Sequence, residues 1–161
     1  MMTDKQAEEI SKYLETVNDD IIDTMFHELT AGVNTYFAVL LFGEDIEKVF
    51  NDPKNKTKST EEIAKIVKEV TITKKEILNS IDTFFNYEQE LVLFAEDCVE
   101  SDVFNPAYPP EILKKIEELE INVKDFSAEL ILSFSNDIVD FFTNDIEEWR
   151  NDVIDVIISL W

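Results

Sequence analysis

From Asp4 to Leu29 the apolar positions Ile10, Tyr13, Leu14, Val17, Ile21, Met25 and Leu29 recur at steps of three and four, along one stripe of an amphipathic helix. Val33, Tyr36, Phe37, Leu40, Leu41, Ile46 and Val49 continue the spacing towards Pro53. Gly32, between the two groups, predicts an end or a bend, because glycine commonly sits just past a helix. Aromatic and aliphatic crowding after Gly32 marks a central, buried helix. The polar stretch 51–58, NDPKNKTK, then breaks the rhythm and predicts the main exposed loop.

Two helix starts follow. Ser59 with Glu62, and Thr73 with Glu76, match the capping box, in which a hydroxyl and a carboxylate three residues on satisfy each other's orphan amides. Ile72 and Ile77 flank the second where a hydrophobic staple would sit. The helix it opens is expected from Lys74 to about Glu100, with Ile77, Ile81, Phe84, Leu91, Phe94 and Cys98 inward. A Pro-rich connection at 105–110, NPAYPP, ends that element.

Beyond it a helical stripe runs from Ile112 to Leu160 through Val123, Phe134, Ile138, Phe141, Trp149, Val153 and Val156, without glycine or proline. About fifty residues of helix would extend about 75 Å at 1.5 Å per residue. A compact domain of this length has a radius of gyration of about 15 Å, so the helix either breaks or projects into a partner; one break is expected, near Ser135 to Asp137, where Ser, Asn and Asp supply a cap. The reading is an all-α, compact bundle of five or six helices with short connections in a single domain, 1–161, its long C-terminal helical region broken once.

Composition supports this. Apolar residues make up 45% of the 161, twelve of them Phe, which is enough for a core despite the charge. The two glycines are Gly32 and Gly43, and the 118 residues after them have none, which argues against tight β-hairpins. Cys98 is the single cysteine, so neither an internal disulfide nor a two-cysteine metal site is available. The first ten residues are polar, and the apolar run Phe37 to Phe42 falls far short of the roughly 20 residues a bilayer span needs. A cytoplasmic protein without a membrane segment is expected.

The net charge of −22 is unevenly placed, at −8 over residues 1–50, +2 over 51–80, −9 over 81–120 and −7 over 121–161. Lys54, Lys56, Lys58, Lys65, Lys68, Lys74 and Lys75 form the one basic stretch. On the last helix Asp137, Asp145, Glu148, Asp152 and Asp155 fall near one face, widened by Asp140 and Glu147. Acids three or four apart on a helix repel by a few tenths of a kcal/mol per pair, so such a ridge costs stability and invites a functional reading beside that of a solvated face.

Catalytic chemistry finds little support. His27, near Asp23 and Glu28, is the single histidine, whereas a di-iron centre in a helical bundle needs two Glu-x-x-His elements. Cys98 lies on an apolar face among acids, which disfavours a reactive thiolate. A calcium loop and a Gly-rich phosphate cradle are both missing from the sequence. No catalytic residue, metal or cofactor is expected.

The acidic surface would repel nucleic acid and be drawn to a protein built to hold it. The expected function is therefore that of a non-enzymatic inhibitor, a phage-type anti-defence protein of the anti-CRISPR or anti-restriction kind. It would mimic nucleic acid in the basic groove of a nuclease or effector. Asp137, Asp140, Asp145, Glu148, Asp152, Asp155 and the terminal Trp161 are its expected contact residues. An immunity protein against a basic toxin is one alternative. The other is a helical scaffold that forms homo-oligomers through Phe and Trp, its charge serving solubility.

Overall fold

Side-chain caps and chain breaks divide the apolar stripes into shorter helices than periodicity alone indicates. The computed structural model describes residues 2–160, and among them nine α-helices and no strand occur. They are α1 (Asp4–Thr16), α2 (Asp19–Asn51), α3 (Thr60–Val70), α4 (Lys74–Phe85), α5 (Glu88–Glu100), α6 (Pro110–Glu118), α7 (Val123–Ser133), α8 (Ser135–Thr143) and α9 (Ile146–Leu160). A 3₁₀ turn at Pro53–Asn55 lies in the otherwise exposed 51–58 connection. No described helix is long and apolar enough to cross a membrane.

The caps explain several starts. Thr3 and Gln6 form a reciprocal box ahead of α1, with Thr3 N donating to Gln6 Oε1 at 2.9 Å and Gln6 N to Thr3 Oγ1 at 3.1 Å. Thr73 and Glu76 do the same for α4. Ser59 caps α3 by accepting from Glu62 N at 3.2 Å. Asn18 accepts from Asp20 N at 2.8 Å and opens α2, so the first stripe is interrupted at Asn18, and Gly32 does not end the helix.

The helix expected over 74–100 is likewise two helices, α4 and α5, separated at Asn86 and Tyr87. The C-terminal region breaks three times instead of once. Its first break follows α6, where Glu120 takes a left-handed φ of 59° and Ile121 N donates back to the Ile116 carbonyl at 2.8 Å, a Schellman-type closure made without glycine. The second falls at Phe134, one residue before the expected Ser135, and no side chain caps it. The third, at Asn144 and Asp145, uses the Asp145 carboxylate, which accepts from Glu148 N at 3.1 Å.

Each break rephases the apolar stripe. Past Phe134 it is Ile138 and Phe142 that turn inward, one helical turn apart, while Phe141 is 52% exposed. In α9 Trp149, Val153, Ile154, Ile157 and Ile158 are buried and Val156 is exposed. Nine helices among the described residues thus replace the expected five or six because the long stripes are cut into short segments.

Those segments gather around α2, whose 33 residues extend about 50 Å at 1.5 Å per residue. Helices α3, α5, α7 and α9 all pack on it. Phe37, at mid-length and fully buried, touches rings from four other helices. Phe142 of α8 stacks on it at 5.1 Å within 10° of parallel, and Phe85 of α4, Phe94 of α5 and Trp149 of α9 lie at 5.8, 6.1 and 5.8 Å. Such pairs add about 0.5–1.5 kcal/mol each beyond area burial.

The connection from α5 to α6 is also packed down. Phe104 lies against the backbone of α2 at Gly32, where an added Cβ would meet its ring at 2.8 Å. Tyr108 is buried with its hydroxyl 2.6 Å from that of Ser127, and Ala107 N donates to Glu28 Oε2 at 3.1 Å. Gly32 is therefore there for Phe104 and not for a helix end. At Gly43 an added Cβ makes an ordinary 3.4 Å contact with Val39. We expect Gly43→Ala to raise stability by up to about 1 kcal/mol through helix propensity. Gly32→Ala, despite the same gain, lowers it by about 1 kcal/mol or more because the ring must move. Urea unfolding of both variants checks this; equal gains would show that the Phe104 contact imposes no constraint.

Candidate functional site

The acids picked out from the last helical stripe occupy two helices. Asp137 and Asp140 lie on α8, Glu147, Glu148, Asp152 and Asp155 on α9, and Asp145 caps the junction; all are exposed. The single-helix ridge is corrected accordingly. Its assumed cost also falls, because Asp137 stands in the first turn of α8 and Asp145, Glu147 and Glu148 at the start of α9. A helix N-terminus stabilises a nearby carboxylate by about 0.3–1 kcal/mol, which offsets repulsion of a few tenths. Repulsion therefore gives no ground for inferring function here.

What the fold does assemble is a shallow groove of about 190 Å³ between α2, α8 and α9. Asp145, Glu148 and Asp152 line it together with Asn34, Asn144 and the ring of Phe141. Trp149 forms part of the wall and donates its indole N–H to Asn34 Oδ1, which ties α9 to α2 beneath the acids. Asn34 is not legible as a site residue in the sequence, and Phe141 is legible there only as one of several aromatics that could form core or surface. Asn34 faces the groove only because α9 crosses α2 there, and Phe141 reads as core until the break at Phe134 rotates it outward.

Asp155 belongs elsewhere. It pairs with Lys68 of α3 at 3.1 Å, so the acidic face of α9 abuts the lysine stretch along the α3–α9 contact. Both partners are partly exposed, which limits the pair to about 0–1 kcal/mol. Lys54, Lys56, Lys58, Lys65, Lys74 and Lys75 are exposed. Trp161 lies outside the described residues.

The one arginine of the chain, Arg150, sits on α9 between Glu148 and Asp152 but turns the other way. Its guanidinium donates to the Lys68 carbonyl in the last turn of α3 and, just past the helix, to Thr71 Oγ1 at 2.8 Å and the Ile72 carbonyl at 3.0 Å. The cation on α9 is thereby kept off the groove.

The remaining candidates lie apart from the groove. His27 is exposed, and the neighbouring Glu28 carboxylate holds the Ala107 amide. Among the described residues no three His, Cys, Asp or Glu side chains converge to hold a metal. Cys98 is buried, and burial pushes its thiol well above the ordinary range. Burial raises the Tyr108 phenol likewise. Both protons leave the unfolded chain first, so the stability these groups contribute is full below about pH 8.5 and declines as pH rises above it.

Comparison of the chain with protein-family models, with curated proteins and with solved structures finds no match.

Two outcomes check this geometry. Arg150→Lys keeps the charge but not the fork of donors, and we expect a loss of about 2 kcal/mol in urea unfolding; an unchanged midpoint would mean the clamp on α3 carries no stability. At pH 8 the folded protein should react with a disulfide thiol reagent roughly a hundredfold or more slower than in urea. Comparable rates would place Cys98 in contact with solvent.

Proposed function

We propose that this chain is a non-enzymatic inhibitor that binds the basic surface of a partner protein through α8 and α9. In that reading its carboxylates take the place of nucleic-acid phosphates. One observation carries it: Asp145, Glu148 and Asp152 converge on a single groove beside an exposed aromatic ring, while the only cation on α9 is held on the opposite side. A basic side chain entering that groove meets three carboxylates and the face or edge of Phe141, the chemistry of an arginine recognition site.

The distribution of aromatics weighs in the same direction. Self-association through a Phe- and Trp-rich face would need those rings outside, but Phe37, Phe42, Phe85, Phe142 and Trp149 are inside. The finer assignment we favour is an anti-defence protein of the anti-CRISPR or anti-restriction kind, acting on a nuclease or effector that handles nucleic acid.

The test is affinity capture from a candidate host lysate at low salt, followed by a binding isotherm on the purified partner. Glu148→Lys with Asp152→Lys is the informative variant, since Asp145 also caps α9 and its reversal would disturb the helix. We expect binding to weaken about tenfold or more in that variant, to fall steeply between about 50 and 200 mM salt, and to be competed by DNA or RNA. A complex indifferent to the double reversal, to salt and to nucleic acid would overturn the proposal.

A further inference from the structure

An apolar recess lies away from the acidic groove, between α1, the start of α2 and α7. It is a cleft of about 450 Å³, within the roughly 300–1,000 Å³ of small-molecule sites. Its floor is Ile10, Met25, Phe126 and Leu130, all buried. The way α1 is attached leaves it open. Gln6 Nε2 donates to the Leu119 and Glu120 carbonyls at 3.1 and 3.3 Å, Tyr13 Oη to the Glu111 carbonyl at 3.4 Å, and Lys115 lies over the Tyr13 ring at 5.2 Å. These contacts all tie α1 to α6 and its end, so the side of α1 that faces α2 and α7 is not closed by them.

Among the described residues the charged side chains at the rim are of one sign. Glu15, Asp19 and Glu129 line the cleft, all exposed, and no basic side chain does. The positive end of α2 offers an anion little, because Asn18 accepts from its Asp20 amide and Asp19 and Asp20 occupy its first turn. From an apolar floor under a carboxylate rim we infer that this cleft binds a small cationic amphiphile, its alkyl or aryl body over Ile10, Met25 and Leu130 and its ammonium or guanidinium group among Glu15, Asp19 and Glu129. A carboxylate or phosphate head on the same body would face three like charges.

The test compares octylammonium, octanoate and octanol, each titrated into the full chain at pH 7 and about 0.15 M salt, the ionic strength at which diffuse surface attraction is screened beyond about 8 Å. Backbone amide shifts locate the binding and calorimetry counts it. We expect one saturable octylammonium site, with shifts confined to α1 and the first turns of α2 and α7, and an affinity about tenfold or more above that of octanoate. Leu14→Gln, on the cleft wall, should abolish it, and Glu15→Gln with Glu129→Gln, at exposed positions that keep the fold, should bring octylammonium down to octanol. Octanoate binding as tightly as octylammonium, or shifts that spread over the acidic surface without saturating, would overturn the inference. So would a dimer in sedimentation that shifts the same residues, since the cleft would then belong to a second copy.

Discussion

One ring in the middle of one helix organises the molecule. Phe37 is fully buried at the centre of α2 and meets Phe85, Phe94, Phe142 and Trp149, so α4, α5, α8 and α9 are each registered on it by one aromatic contact. Helices of nine to fifteen residues are marginal alone in water, and α8 has only nine. Phe142 therefore does more than fill space, because its burial against Phe37 holds a segment that could not otherwise remain helical. The long α2 makes this possible. Helices α3, α5, α7 and α9 pack on it, and Gly32 lets Phe104 reach its backbone as well.

Segmentation and net charge are linked through the helix ends. Every helix carries at least one acid in its first turn, from Asp4 in α1 to Glu147 and Glu148 in α9. Nine helices present nine positive ends, each able to favour a carboxylate by a few tenths of a kcal/mol or more. The same charge strung along fewer, longer helices would instead stand in like-charged pairs three and four residues apart. The last turns are less well matched, with no cation in those of α1, α4, α5, α7, α8 and α9. The ion pairs among the described residues are all at least partly exposed, so each contributes about 0–1 kcal/mol.

This changes what the acidic face signifies. Most of its carboxylates are placed where a helix start welcomes them, so their number is no argument for a partner. Their convergence is. Asp145, Glu148 and Asp152 share a groove with Phe141 because α8 and α9 meet at Asp145, and because Arg150 is turned away to finish α3.

The sequence by itself determined the helical class, the caps at Ser59 and Thr73, the exposed 51–58 connection and most of the inward positions, since these depend on spacing and on side chains within four residues. Ile77, Ile81, Leu91, Phe94 and Cys98 are buried as their periodicity indicates. The number of helices and the composition of the groove were decided only by tertiary structure. Phe134 and Glu120 break their stripes without proline or glycine, because packing on neighbouring helices supplies what local propensity does not. Phe141 and Phe142 are adjacent and chemically identical, so no local pattern can say which one turns inward; that follows from where α8 meets Phe37. Arg150, likewise, acts on carbonyls some eighty residues away in sequence, a contact that exists only once α9 lies against α3.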